Sequence, residues 1–294
     1  MKRVLVAGAT GYLGGFVAQE LKARGNFVRA LARSPKKLDH LQDSLDEVYE
    51  GEVTQPKTLE HICDGIDIVF SSIGITKQKD KLTFKDVDYQ GNKNLLTVAQ
   101  RAGVEKFIYV SVFGGPSLPH LEIVKAHEDF VEVLKASGIN YAVLRPTGYF
   151  SDMGEFLEMA KKGRIYLIGR GSNKVNPIHG ADLAVTCVDA LEGTQQEIDI
   201  GGPDILTYRK IAELAFQSLG KSARITAIPV WVMKLVVAAT KLFSKHQGEL
   251  LAFFTTAMTS DVVAPAAGIH RLKDHFESLG IETKQESLDP ERRR

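Results

Sequence analysis

The chain has 294 residues, 44% of them hydrophobic and 25% charged, with 37 basic against 36 acidic side chains for a formal charge of +1. That is an ordinary globular composition, and the balance of charge excludes the clustered basic footprint of a nucleic-acid-binding protein. No window reaches the roughly 18 uninterrupted apolar residues of a membrane span, and the opening MKRVLVAG runs straight into a strand with no room for a signal peptide. The two cysteines, Cys63 and Cys187, lie in apolar settings without metal-ligand spacing and read as reduced core residues of a cytoplasmic protein.

Short apolar runs recur through the first half: VLVAG, FVRALA, DEVYEG, DIVFSSIG, FIYVSV and YAVLRP. Helical patterns lie between them, at 16–24, 84–102 and 121–136. Gly25, Gly103 and Gly138 each follow a helical run, where a glycine relieves left-handed strain at the C-cap. Strand and helix alternating in this way predict a parallel sheet with helices on both faces, an α/β doubly wound fold occupying 1–150. Beyond Arg145-Pro146 the rhythm loosens. Helices are predicted at 153–162, 181–191, 208–219, Val230–Phe243 and 249–258, forming a smaller substrate region over 151–294 that packs partly back on the core and covers the carboxyl edge of the sheet. The tail PERRR reads as a frayed end.

VAGATGYLGG carries the chemistry. Gly8, Gly11 and Gly14 form a G-x-x-G-x-x-G turn between an apolar strand and a helix. Glycines here permit a sharp turn, let a pyrophosphate approach the backbone, and let the helix pack on the sheet. The helix N-terminus offers free N–H groups to phosphates. The next strand selects among dinucleotides. An NAD site usually ends it with a carboxylate, but none lies between Glu20 and Asp39. Arg33 stands there instead, followed by Ser34, Lys36 and Lys37, which suits the 2′-phosphate of NADP(H) over NAD(H). The alternative is a solvated basic loop.

GATGYLG, ALARSP, SSIG, DYQGNKNLL, KFIYVSVFG, LKASGINYAVLRPTGYF and PIHGADLA, in this order over residues 3 to 190, resemble the atypical short-chain dehydrogenase/reductases. More narrowly, they resemble the NmrA-like and divinyl-chlorophyllide-reductase-like branches. The resemblance implies a Rossmann fold, a bound dinucleotide and a variable C-terminal substrate region. It assigns Gly8, Thr10, Gly11, Tyr12, Leu13 and Gly14 to the cofactor loop and Arg33 to the NADP position. Glu52 and Val53 fall beside the adenine, with Glu52 where the family commonly has Asp. Ser71, Ser72, Ile73 and Gly74 follow the fourth strand past the cofactor ribose, and Asn92 supports the site. Ser111 takes the active-site serine position, and Pro146 and Thr147 form the loop beside the nicotinamide.

One departure stands out. Typical members carry Tyr-x-x-x-Lys after the fifth strand, whereas this chain reads Leu121-Glu-Ile-Val-Lys125. Lys125 lies off the apolar stripe Ile123, Val124, His127, Phe130, Val131 and Leu134, on the side of Glu128 and Asp129. Periodicity makes it a surface lysine; the resemblance makes it a ribose-binding or proton-donating one. Tyr149, His127 and His179 are further candidate proton carriers, although a histidine on an apolar stripe is by default a satisfied core residue. Ser111, Lys125 and Tyr149 form the candidate catalytic set.

The helix candidate Val230–Phe243, with the only tryptophan, and its follower at 249–258 read first as packed core of the substrate region. A lid over an apolar substrate and a protein or membrane-surface contact are the alternatives. Together these readings predict an NADP(H)-dependent oxidoreductase acting on a small organic substrate, apolar ones included. The alternative is an NADP(H)-binding sensor or assembly factor without turnover.

Overall fold

The computed structural model describes residues 1–75 and 82–288; PERRR lies outside them. Contacts divide the chain into two compact units, Met1–Pro146 with Gly180–Ile200, and Thr147–His179 with the residues from Gly201 onward. A single cut at residue 150 therefore separates 180–200 from the unit in which they pack.

The first unit holds β1 (Arg3–Ala7), α1 (Tyr12–Ala23), β2 (Phe27–Ala32), β3 (Glu47–Glu50), β4 (Ile68–Ser71), α2 (Asn92–Arg101), β5 (Lys106–Val110), α3 (Glu122–Lys135), β6 (Asn140–Pro146), α5 (Gly180–Asp189) and β9 (Glu197–Ile200). Its strands form one sheet in the order β3-β2-β1-β4-β5-β6-β9, every neighbouring pair parallel. Parallel strands covered on both faces read as continuous apolar runs, which is why VLVAG and IVFS were legible. Leu5, Ala7, Val69, Phe107, Tyr109 and Val143 face Leu95, Leu96 and Ala99 of α2 and Phe130, Val131 and Leu134 of α3. Alternate residues such as Val4, Val6 and Ile108 are equally buried, and α1 packs on α5. The chain order reverses between β1 and β4, so a crevice opens at their carboxyl ends.

Gly25, Gly103 and Gly138 have φ of +74°, +73° and +77°, as C-cap glycines require. The expected single helix at 84–102 is instead a π-helical segment, Lys85–Gly91, running into α2. The sequence reading did not foresee β9 in this sheet, because only Ile198 and Ile200 alternate there with charged residues at a sheet edge.

The second unit holds α4 (Phe150–Lys161), β7 (Ile165–Ile168), β8 (Lys174–Val175), β10 (Leu206–Thr207), α6 (Tyr208–Ser218), β11 (Ile225–Ile228), α7 (Val230–Phe243), α8 (Lys245–Met258) and α9 (Leu272–Leu288). Its core is made by Phe150, Phe156 and Leu157, Ile165 and Leu167, Tyr208, Ile211 and Phe216, and Leu272 and Phe276. The helix Val230–Phe243 has its expected bounds but not its expected role as packed core: none of its side chains is buried. α4, α6 and α9 already fill the core, and α7 packs against α8 instead.

Two cations tie α3 and β6 to the edge strand β9. Lys135 Nζ and Arg145 Nη1 lie 2.7 and 2.6 Å from the two carboxylate oxygens of Glu197. The hydrogen bond from Lys135 outweighs the cost of burial and, with that from Arg145, holds the Glu197 carboxyl below its ordinary value of 4.5. A depressed acid stabilises the fold above its unfolded pKa, and that contribution is lost as pH falls through the folded value. Glu197→Gln is expected to lower the urea midpoint near neutral pH, with the gap to wild type shrinking below pH 4.5. A gap that stays constant into the acid range would contradict this role.

Candidate cofactor site

β1 ends at Ala7 and is followed by Gly8, whose φ of +101° only glycine adopts without strain. A Cβ there would also sit 2.7 Å from Ser72 Oγ, so the turn lies directly against the end of β4. The Gly11 N–H donates to Gly8 O at 2.9 Å and closes the turn. A Cβ on Gly14 would lie 2.2 Å from Gly8 O and 2.9 Å from Ala9 Cα. Helix and turn therefore touch backbone to backbone. Gly11 is the N-cap of α1, no side chain caps it, and no acid stands in the first turn. The helix end thus keeps its donors and its partial positive charge for an anion.

This turn forms one wall of a cavity of about 490 Å³, within the 300–1,000 Å³ range of small-molecule sites. Gly8, Thr10 and Gly11 stand on one side, Ser72, Ile73 and Gly74 on another, and Arg33, Lys37, Glu52 and Val53 on a third. Gly51 adjoins Glu52 in the lining, and Leu31, Ala32, Thr54, Ile75, Leu82 and Val87 are lining residues that sequence reasoning did not name. Arg33 and Lys37 are both exposed and follow the end of β2. Glu52 is the one carboxylate among the described lining residues. It is engaged locally, accepting from Thr54 Oγ1 at 2.9 Å and Gln55 Nε2 at 2.8 Å. With Arg33 and Lys37 against this single carboxylate, the described lining carries a net positive charge.

The remaining expected positions support this wall or lie elsewhere. Ser71 is fully buried and donates to Asn92 Oδ1 at 2.6 Å. Asn92 Nδ2 in turn donates to Ile73 O at 3.2 Å and to Asp88 O at 2.7 Å, fastening the segment after β4 to the start of α2. Leu13 is buried in α1. Tyr12 accepts from the Gly180 N–H at 3.0 Å through its hydroxyl, so it meets the start of α5. Ser34 is the N-cap of the short 3-10 segment Pro35–Ser44 and is not part of the cavity wall.

Behind Gly74 lies a buried chain that was not legible in the sequence. His127, read there as a satisfied core histidine, contacts Tyr109 Oη through Nδ1 at 2.6 Å and Asp88 Oδ1 through Nε2 at 3.1 Å. Asp88 also accepts from the Ile75 N–H at 3.4 Å, while its Oδ2 is buried with no hydrogen-bond partner among the described residues. A Cβ on Gly74 would come within 3.2 Å of Asp88 Oδ1. The π-helical segment produces this: it turns Val87 to the cavity and Asp88 into the core.

Within the first unit, Ser111 and Lys125 are engaged by neighbouring carboxylates and are not among the lining residues of the cavity. Ser111 donates to Glu128 Oε1 at 2.6 Å, and Glu128 is held by Arg145 Nη2 at 2.9 Å. Leu121 is buried. Lys125 is exposed and pairs with Asp129 one turn along α3, its Nζ at 2.7 and 2.6 Å from the two oxygens. Pro146 ends β6, where its carbonyl accepts from the Phe113 N–H at 3.2 Å. Thr147 and Tyr149 belong to the second unit. Thr147 donates to Asn176 O at 2.6 Å, and Tyr149 is the N-cap of α4. His179, in the same unit, stacks on His270 with ring centroids 4.3 Å apart.

A family model for NAD(P)H-binding proteins matches residues 8–194. The chain belongs to this NAD(P)H-binding family. The chain is similar to divinyl chlorophyllide a 8-vinyl-reductase of Cucumis sativus, 30% identical over 266 residues, covering 82% of this chain and 63% of that protein. It thus spans less than two thirds of that relative's length. It is also similar to the Photosystem II assembly factor Ycf39 of Synechocystis, 25% identical over 293 residues, 96% of this chain and 87% of the other. Among solved structures, the Escherichia coli NADPH-dependent quinone oxidoreductase QOR2 shares the fold, with a TM-score of 0.74 at 18% identity, over 94% of this chain and 99% of that one. The glycine turn, the basic strand end and the reversal of strand order therefore belong to an NAD(P)H-binding domain of Rossmann type.

Two substitutions test the site. Arg33→Ala is expected to weaken NADPH binding about 10- to 100-fold, the worth of a charge-assisted phosphate contact, while leaving NADH nearly unchanged; equal losses in calorimetric titration would remove Arg33 from the phosphate. Gly14→Ala, forced against Gly8 O, is expected to cost about 1–3 kcal/mol of stability in urea unfolding. An unchanged midpoint would contradict the backbone contact.

Proposed function

We propose that this protein is an NADP(H)-dependent reductase of conjugated, apolar organic acceptors. The observation that carries the cofactor choice is the cavity wall in which Arg33 and Lys37 stand together while Glu52 is engaged by its neighbours. The uncapped N-terminus of α1 suits the pyrophosphate, and Ser72, Ile73 and Gly74 suit the ribose beyond it. Bound NADPH supplies a hydride, two electrons with one hydrogen nucleus. The chain's own residues bind, orient and exclude water.

The proton donor decides the substrate class. With Leu121 buried in place of the family tyrosine, and Lys125 exposed and paired with Asp129, neither supplies the usual acid. Reduction of an isolated carbonyl needs a proton delivered as the oxygen gains charge. A conjugated or quinonoid acceptor spreads that charge, so solvent protonates it afterwards and no side-chain acid is required. The reductase names of the cucumber relative and of QOR2 support this direction. Cys63 and Cys187 are buried free thiols, and burial pushes Cys63 up to about 12; this supports a reducing compartment such as the cytoplasm.

A second reading, NADP(H) binding without turnover in the service of assembly, is favoured by Leu121 and by the likeness to Ycf39 along 96% of the chain. Deuterium at the transferable position of NADPH separates the two. Incubation with a panel of quinones and conjugated alkenes is expected to place that deuterium on carbon or to oxidise NADPH with stoichiometric hydroquinone, and Lys125→Met is expected to retain activity within about tenfold, a loss smaller than that of a general acid. Tight NADPH binding with no consumption across the panel would establish the second reading instead.

A further inference from the structure

α7 is the most apolar helix of the second unit, and it is exposed. Trp231, Leu235 and Leu242 are 66%, 62% and 85% accessible, and they recur at i, i+4 and i+11, a single stripe of a 3.6-residue repeat. Val236 and Phe243, 42% and 91% accessible, widen the stripe on one side. Lys234 and Lys241 border it on the other. Phe243 ends the helix, Ser244 caps α8, and Lys245 follows at once. The turn between the helices thus carries large apolar side chains and a lysine at its tip.

The mounting is firm. A Cβ on Gly248 would lie 2.3 Å from Lys241 Cγ and 2.8 Å from Lys241 N, so α7 rests directly on the backbone of α8. Lys241 Nζ also pairs with Glu249 at 2.7 Å, and that carboxylate is buried. Glu249 is the sole acid of residues 230–258, against the three lysines. Lys241 and Glu249 neutralise each other, so the face is apolar at its centre and takes its positive charge from Lys234 at its border and Lys245 at the tip of the turn.

We propose that α7 and the α7–α8 turn form an interfacial element that seats this protein on the surface of an anionic phospholipid bilayer. Charge chooses the occupant. Lysine stems lie along apolar surface while their ammonium groups reach outward to phosphates, and tryptophan favours the boundary between headgroups and acyl chains. Fourteen residues make a helix about 21 Å long, and no helix among the described residues is long and apolar enough to cross a membrane. The element lies on the bilayer, with Trp231, Leu235, Leu242 and Phe243 entering it. The proposal is independent of the cofactor reading, since it rests on none of the residues of the cavity.

Trp231 is the only tryptophan of the chain, so its fluorescence reports this face alone. Wild-type protein titrated with vesicles of mixed phosphatidylglycerol and phosphatidylcholine is expected to show a blue shift of emission, quenching by brominated acyl chains, and co-sedimentation. Affinity for vesicles of phosphatidylcholine alone is expected to be about tenfold weaker or more, because juxtamembrane lysines contribute through the surface charge. Leu242→Asp with Phe243→Asp is expected to abolish sedimentation while leaving the thermal transition unchanged, as both side chains are exposed. Unshifted emission with anionic vesicles would overturn the proposal, as would equal binding to neutral ones. Concentration-dependent dimerisation of the wild type, lost in the double variant without any vesicle binding, would overturn it by assigning the face to a second copy of the chain.

Discussion

The close approach of α1 to the turn after β1 governs the first unit. A side chain at Gly14 would overlap the carbonyl of Gly8, and one at Gly8 would overlap Ser72. Because both are absent, the first turn of α1 sits at the carboxyl end of β1, and β1 and β4 meet at the point where strand order reverses. The helix end, its uncapped N–H groups and the crevice are consequences of one packing contact. Asn92 completes the arrangement from the other side, holding Ser71 and Ile73 so that Ser72, Ile73 and Gly74 form a fixed wall.

That wall has a polar backing. The Asp88–His127–Tyr109 chain stands immediately behind Gly74 and leaves one carboxylate oxygen without a hydrogen-bond partner among the described residues. A buried carboxylate is tolerated only where donors approach it, and His127 and the Ile75 N–H do so. Rigidity at the cavity thus comes from hydrogen bonds spread over β4, the π-helical segment, β5 and α3. Ser111 and Lys125, in contrast, are engaged with Glu128 and Asp129, which is why the cofactor wall is better defined here than any acid–base apparatus.

What could be read from the sequence follows from how local each signal is. The glycine turn, the strands β1, β4, β5 and β6, and the C-caps at Gly25, Gly103 and Gly138 depend on adjacent residues, and short patterns report them. Arg33 stands out in the sequence because the carboxylate usual at that strand end is missing, and it lies in the lining of the cavity. β9 was not, since an edge strand with Glu197 and Asp199 has little apolar pattern to show. The bounds of α7 could be read but not its exposure: Trp231, Leu235 and Leu242 would look the same facing a core, a partner or a bilayer. His127 was recognisable as a core histidine, yet its partners come from separate segments, and no spacing announces them.

The most direct test of the central claim, that the glycine turn and the wall after β4 hold an NADP(H) molecule, is amide hydrogen exchange with and without saturating NADPH. If the claim holds, protection rises together at residues 8–14, 33–37 and 72–75, and the 33–37 increment is lost when NADH replaces NADPH. Unchanged exchange at 8–14, or protection confined to the second unit, would contradict it.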